Sequence, residues 1–324
     1  MKTALSYELV NMYSSLADNM YLNYKWYWEN LTDWTAAVGF DSISLTLVPN
    51  QFNVGRGGAP RCTLAINTKY GSAEGYLKYL NESGIQNVSS FNISAQAVLA
   101  DMFESGAKFE DLYPILFDHA DDASDMLASL KGCCLNVSPT PAIGALKANL
   151  GEDPAAFERF ADEAAACLNK IGEMTAKKGI RTCVTNEFWT LARGAEFDKF
   201  FQKLDRKAVG YTASTAMLKI AGSDPLEVLD KYFDDLGCVF LNDTAYTDTV
   251  GTYATATPEY PQEGEQQRLY RDLGLGDIDF AAVLRLLKSR DFQGYVVLEP
   301  RYTTNVPRAV LRTRTFWTKL TKEV

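Results

Sequence analysis

Between Ala4 and Leu298 the chain repeats one small unit: a short apolar run, a polar exit, and then ten or more residues with helical spacing. Ala4–Val10, Phe40–Val48, Gln86–Ile93, Gly132–Val137, Ile180–Thr185, Ala208–Thr212, Gly237–Leu241 and Tyr295–Leu298 read as the strands. Strands that are apolar along their length are buried on both faces, the condition of a parallel sheet covered by helices. Parallel neighbours need long crossovers, and eight such units close into an α/β (β/α)8 TIM barrel. A doubly wound open sheet is the competing arrangement. The barrel is favoured because polar strand exits recur at the same phase of each repeat. No linker-like stretch divides the 324 residues, so residues 1–324 are expected to form a single barrel domain.

The helical spacing predicts Asn23–Val38 stopping at Gly39, Ala73–Ser83, a long region from Ala95 to Leu130, and Asp153–Lys178 with Asp153 as cap and Pro154 in the first turn. Ala195–Leu204, Asp224–Leu236 and Pro307–Lys322 follow. The glycine-rich exit after Val48 lacks the Gly-Lys-Ser/Thr ending of a phosphate loop and does not open directly onto a helix. It reads as a mobile loop over a strand end, and no nucleotide cofactor is expected.

Composition removes other classes. A net charge of −9 argues against nucleic acid or an anionic membrane surface as partner. The start shows no charged segment leading into an apolar one, and no apolar run is long enough to span a bilayer, so a cytoplasmic protein is expected. Six cysteines form no CxxC pair and no zinc spacing, which predicts buried thiols. The single histidine, His119, lies in the acidic stretch DHADDASD and reads as a charged surface residue. Without a second histidine a hydrolase triad has no base. Tyr24, Trp26, Trp28, Trp189 and Tyr302 are numerous enough to line a sugar pocket, with Trp189 the best wall residue and most of the others packing.

Arg271–Tyr302 is the densest stretch. Gly274 and Gly276 make a turn, Asp277 or Asp279 caps a helix with Phe280, Val283, Leu284, Leu286 and Leu287 on its apolar face, and Tyr295–Leu298 is a buried strand. It ends in Glu299, Pro300 and Arg301. A carboxylate at the carboxyl end of such a strand is where α/β proteins place chemistry. The plainer reading is Glu299 paired with Arg301. Glu187 follows Ile180–Thr185 in the same way.

Three stretches resemble the xylose-isomerase-like barrel family of sugar isomerases, epimerases and inosose dehydratases. KKGIRTCVTNE is similar to the family's fifth strand, with its metal-binding Glu on Glu187. STAMLKIAGSDPLEVLDKYFDDLGCVFLND is similar in register to a D-T-G-H…A-G-x-D-P…V-H-L-K-D run. LGLGDIDFAAVLRLLKSRDFQGYVVLE resembles the closing segment, whose Glu falls on Glu299. The insertion from Pro258 to Arg268 is closer to inosose dehydratases than to short epimerases. The second half of the chain carries the likeness, the first only in outline.

The family binds a divalent metal, Mn or Mg, through two Glu, one Asp and one His. Here the Asp position reads Ser214, the His position Phe240, and the second His of the D-T-G-H run Met217. Glu187 and Glu299 remain as metal ligands. Two carboxylates, a hydroxyl and waters hold a hard cation weakly, and Asn242, Asp243 or Asn186 would have to replace the lost ligands. Two carboxylates in one cavity also raise each other's pKa, which suits proton transfer beside a carbonyl. Arg271, Arg301 or Lys219 would then stabilise the enediolate.

The resemblance implies a sugar or cyclitol isomerase, epimerase or dehydratase-like enzyme with Glu187 and Glu299 as catalytic pair. Trp189, Asn186, Ser214, Asp243, Arg271 and Arg301 are the expected substrate contacts. The alternative is a catalytically degenerate barrel that serves as a sugar-binding or partner subunit of a heteromeric complex. A small-molecule sugar or cyclitol is the expected partner, and the resemblance allows either a homo-oligomer, such as barrels of this kind form through their helical rims, or a heteromeric complex.

Overall fold

The structure is a computed structural model and describes residues 1–9, 24–50, 59–252 and 269–324; the side chains of residues 103 and 104 lie outside that description. Eight parallel strands close into a barrel in chain order: β1 Lys2–Ser6, β2 Ser42–Thr46, β3 Asn87–Ser94, β4 Cys134–Ser138, β5 Arg181–Thr185, β6 Val209–Ser214, β7 Leu236–Leu241 and β8 Tyr295–Leu298. The seam is the pairing of β1 with β8, in register from Lys2↔Tyr295 to Leu5↔Leu298. The ladder slips between Ile43 and Ser44 and between Tyr211 and Thr212. The open sheet is thereby excluded and the (β/α)8 barrel stands. Among the described residues no helix is long and apolar enough to cross a membrane.

The helices cover the outer faces: α1 Lys25–Ala37, α2 Thr63–Tyr70, α3 Ala73–Glu82, α4 Ala95–Ser105, α5 Leu112–Ser129, α6 Ile143–Leu150, α7 Pro154–Ala176, α8 Glu196–Phe201, α9 Thr215–Ile220, α10 Pro225–Lys231, α11 Phe280–Ser289 and α12 Val306–Glu323. Asp153 caps α7 through Ala155 N (3.0 Å), with Pro154 at its first position as read from sequence. Of the two candidate caps for α11, Asp279 takes the role through Ala282 N, while Asp277 pairs with Lys219.

Several boundaries differ from the sequence reading. The Ala95–Leu130 region is two helices, because Gly106 takes a left-handed φ of 75° and ends the first. Helices α2, α6 and α9 had no periodic signal. Strand β1 stops at Ser6, four residues short of the Val10 expected; Val10 itself, most of the loop after Val48 and the Pro258–Arg268 insertion lie outside the described residues.

The core has two layers. Outside the barrel, apolar strand residues meet the inner faces of the helices. Inside, the end of the barrel nearest the strand starts is plugged by Ala4, Tyr295, Val297 and the thiols of Cys134, Cys183 and Cys238. These thiols are buried as expected, as are those of Cys62 and Cys167, but Cys133 is exposed. It alternates with the inward Cys134, so its side chain points away from the barrel axis.

Candidate active site

The carboxyl ends of the strands converge on a cleft of about 740 Å³, open solvent at its mouth included. Its position follows from the fold, since parallel strands all exit on one face.

Glu299 is the most tightly held side chain there and is 1 % exposed. Its amide continues the β7–β8 ladder by donating to Leu241 O (2.9 Å). The β1–β8 register brings Ser6 alongside, and Ser6 Oγ donates to Glu299 Oε2 at 2.7 Å. Asn242, one residue past β7, donates to Glu299 Oε1 at 3.0 Å and to Ser214 Oγ at 2.7 Å. Its own orientation is fixed by Ala216 N, which donates to Asn242 Oδ1 (2.6 Å). Arg301 Nη1 adds a third donor to Glu299 at 3.2 Å, so the pairing read from sequence exists, inside the cleft.

Glu187 lies two residues beyond β5 and accepts from Ser138 Oγ (3.1 Å) at the end of β4. Surrounded by protein, it still keeps part of its surface open to the cleft. Burial pushes its carboxyl up to about 7; the Arg301 charge and the Ser138 hydrogen bond oppose this, while Glu299 and Glu8 add to it. Mutual repulsion of the two carboxylates was the cause expected from sequence. Desolvation outweighs it, because Arg301 sits against Glu299 and offsets the charge that Glu187 would otherwise feel.

One cleft carboxylate escaped the sequence reading. Glu8, 5 % exposed, faces the cleft and pairs with the equally buried Arg61 (3.7 Å). Extending β1 to Val10 hid it within a strand. The rule that found Glu299, a carboxylate just past a buried parallel strand, would have found Glu8 had the strand been ended at Ser6.

The floor is a chain of neutral groups, with Asn136 Nδ2 donating to Asn92 Oδ1 (2.8 Å) and Thr212 Oγ1 to Asn136 Oδ1 (2.6 Å). Trp189, Met217 and Phe240 form an apolar wall, and Trp189 meets Phe188 edge to face with centroids 4.7 Å apart. Rings together with hydroxyls and amides in one cleft suit a small polyhydroxylated ligand.

Asn186, Trp189, Ser214 and Arg301 thus line the cleft with Glu187 and Glu299. Asn186 is partly committed, since Tyr211 Oη and Ser214 N both donate to its Oδ1. Asp243 and Arg271 are not among the lining residues. Asp243 accepts from the amides of Gly274 and Gly276 (2.9 Å each), and its carbonyl accepts from Arg271 N. Of the three cations considered for charge stabilisation, Arg301 alone lines the cleft. His119 differs from expectation: it is half-buried on α5, with Nε2 3.4 Å from Leu47 O, and burial lowers its pKa. Asp122, one turn further along the helix, opposes that shift.

Residues 32–320 match the sequence family described as Xylose isomerase-like TIM barrel. The chain belongs to that family. An inosose dehydratase of Clostridium perfringens is 28 % identical over 133 residues, 41 % of this chain and 44 % of the relative, so the match spans less than half of that protein. A D-allulose 3-epimerase of Methylomonas sp. superposes with a TM-score of 0.66 at 14 % identity, over 99 % of this chain and 98 % of the other. A xylose isomerase-like TIM barrel protein of Mycobacterium smegmatis, in complex with magnesium, gives 0.65 at 14 %, over 99 % and 97 %. At such identity the superpositions speak for the fold.

A divalent ion is what the xylose isomerase-like family implies, and the donor set here does not fit one. Hard cations need about six oxygen or nitrogen ligands and several carboxylates. Of the four positions that the sequence resemblance assigns to ligands, two are Glu187 and Glu299, a third presents the Phe240 ring, and the fourth a Ser214 hydroxyl that accepts from Asn242. The Arg301 guanidinium already engages Glu299. Among the described residues no three His, Cys, Asp or Glu side chains are grouped so as to hold a metal.

Proposed function

We propose that this xylose isomerase-like barrel is an enzyme that moves a proton on the carbon beside a carbonyl of a sugar or cyclitol, in an isomerisation, epimerisation or dehydration. The carrying observation is Glu187: a carboxyl held near neutrality by burial, open on one side to a cleft of sugar-like complementarity. A group poised near the working pH serves in turn as base and acid. The pair divides its labour. Glu187 takes and returns the proton, while Glu299, anchored by Ser6, Asn242 and Arg301, orients Arg301 and the substrate hydroxyls. The inosose dehydratase relatives support cyclitol ketones as the first substrates to try.

The test is hydrogen–deuterium exchange at the carbon next to the carbonyl, followed by NMR in D2O over a panel of inososes and ketoses. Wild-type protein is expected to exchange at least one of them, and Glu187→Gln to lose about 10²-fold or more. No exchange by wild type across the panel would overturn the enzyme reading. The second reading, a sugar-binding or partner subunit, rests on Phe240 and Ser214 at family ligand positions. It predicts saturable binding of the same ligands without exchange.

A further inference from the structure

We infer that the Arg301 guanidinium fills the cationic role at this site, excluding a divalent ion and accepting the negative charge that develops on the substrate carbonyl oxygen. The inference deepens the function proposed above and, for the carbonyl, rests on it.

Arg301 faces the same cleft as Glu187, Ser214, Phe240 and Glu299, the four positions at which the family would place metal ligands. It is built in, with a side chain only 14 % exposed. Nη1 donates to Glu299 Oε1 (3.2 Å) and Nη2 to Tyr302 Oη (3.4 Å). The guanidinium carbon lies 4.8 Å from the Tyr302 ring centroid and 5.6 Å from that of Tyr270, so two aromatic rings hold the cation. Tyr302 takes a left-handed φ of 50°, a conformation that a bulky residue adopts only when its surroundings impose it. The buried Nε has no acceptor among the described residues.

A fixed, partly desolvated guanidinium repels a second cation and offers N–H donors aimed at an oxyanion, with little reorganisation during reaction. Phe240 removes a ligand, and Asn242 occupies the Ser214 oxygen, so the chain carries both an added cation and a disabled ligand set. In the step itself, the Glu187 carboxylate takes the proton from the carbon beside the carbonyl. The C–H electron pair forms the C=C bond, the carbonyl pair moves onto oxygen, and that oxygen accepts from Arg301. Return of the proton to the former carbonyl carbon, with the adjacent hydroxyl proton passing to the first oxygen, gives the isomer, and a solvent proton taken up on the opposite face of the original carbon gives the epimer. In dehydration the oxygen pair re-forms the carbonyl, the C=C pair shifts to expel the hydroxyl on the neighbouring carbon, and the proton on Glu187 leaves with it as water. No oxidant or reductant enters.

Mn(II) titration followed by electron paramagnetic resonance tests the exclusion, on wild type, on Ser214→Asp/Phe240→His, and on the same pair with Arg301→Gln. The triple variant is expected to bind at least ~100-fold more tightly than the other two. Equal binding by the double and triple variants, or tight binding by wild type, overturns the inference. Should the triple variant fail to fold by circular dichroism, exchange in the presence of EDTA decides: a loss of about 10²-fold in Arg301→Gln with partial return in Arg301→Lys supports it, and an unaffected Arg301→Gln overturns it. Wild type that exchanges no ketone counts against the proposed function, while the manganese arm still rules on Arg301.

Discussion

Folding raises the Glu187 carboxyl from an ordinary 4.5 to about 7, so between these values the folded chain keeps a proton that the unfolded chain has released. The stability linked to that proton is complete below 4.5 and is lost as pH rises through about 7. Glu187→Gln removes the penalty. Its stability advantage over wild type, followed by Tm, should be small in acid and grow to a plateau above neutrality, bounded by about 3 kcal/mol. A difference flat with pH would mean that Glu187 titrates as an ordinary carboxyl. Activity runs the other way: the ionised form is the base, so the exchange rate of wild type should climb with pH through about 7. At this scale the sequence located Glu187 and Glu299 but misjudged why Glu187 titrates high. Desolvation and the Arg301 charge depend on everything packed around the carboxyl.

The segment from Asp243 to β8 shows what an element requires. Asp243 is 1 % exposed and accepts from three backbone amides, those of Thr244, Gly274 and Gly276. A Cβ at Gly276 would lie 2.1 Å from Asp243 Oδ1, and one at Gly274, where φ is +83°, 2.7 Å from the Phe316 ring. The G-x-G spelling was legible as a turn; its cause is this carboxylate from another strand end. Asp243→Ala should cost about 2–4 kcal/mol by orphaning buried amides, read as a lower urea midpoint. Gly276→Ala should be comparably damaging, and both should depress exchange because the loop leads through α11 to Glu299 and Arg301. A Gly276→Ala protein as stable as wild type would show that the loop gives way freely. The helices missed from sequence have related causes. α2 is capped by Cys62 Sγ and by Asn50, whose Oδ1 accepts from Leu64 N, and α9 starts directly after the last residue of β6, leaving no turn signal to read.

Closure of the barrel sets the environment of every interior group. It places Ser6 beside Glu299 although 293 residues separate them, and packs Cys134, Cys183 and Cys238 together. Thiol labelling of the native protein should therefore find one fast cysteine, Cys133, and all six in denaturant. More than one fast thiol would point to an opened barrel. Strand–helix alternation, polar strand exits and the family spelling are local properties, so the sequence alone determined the architecture and two of the three cleft glutamates. Which cation faces those glutamates was undetermined among Arg271, Arg301 and Lys219, and Glu8 was invisible until β1 ended at Ser6. Those choices, and the pKa of Glu187, belong to the tertiary structure, because burial and Coulomb energy are sums over neighbours that only the closed barrel brings within reach.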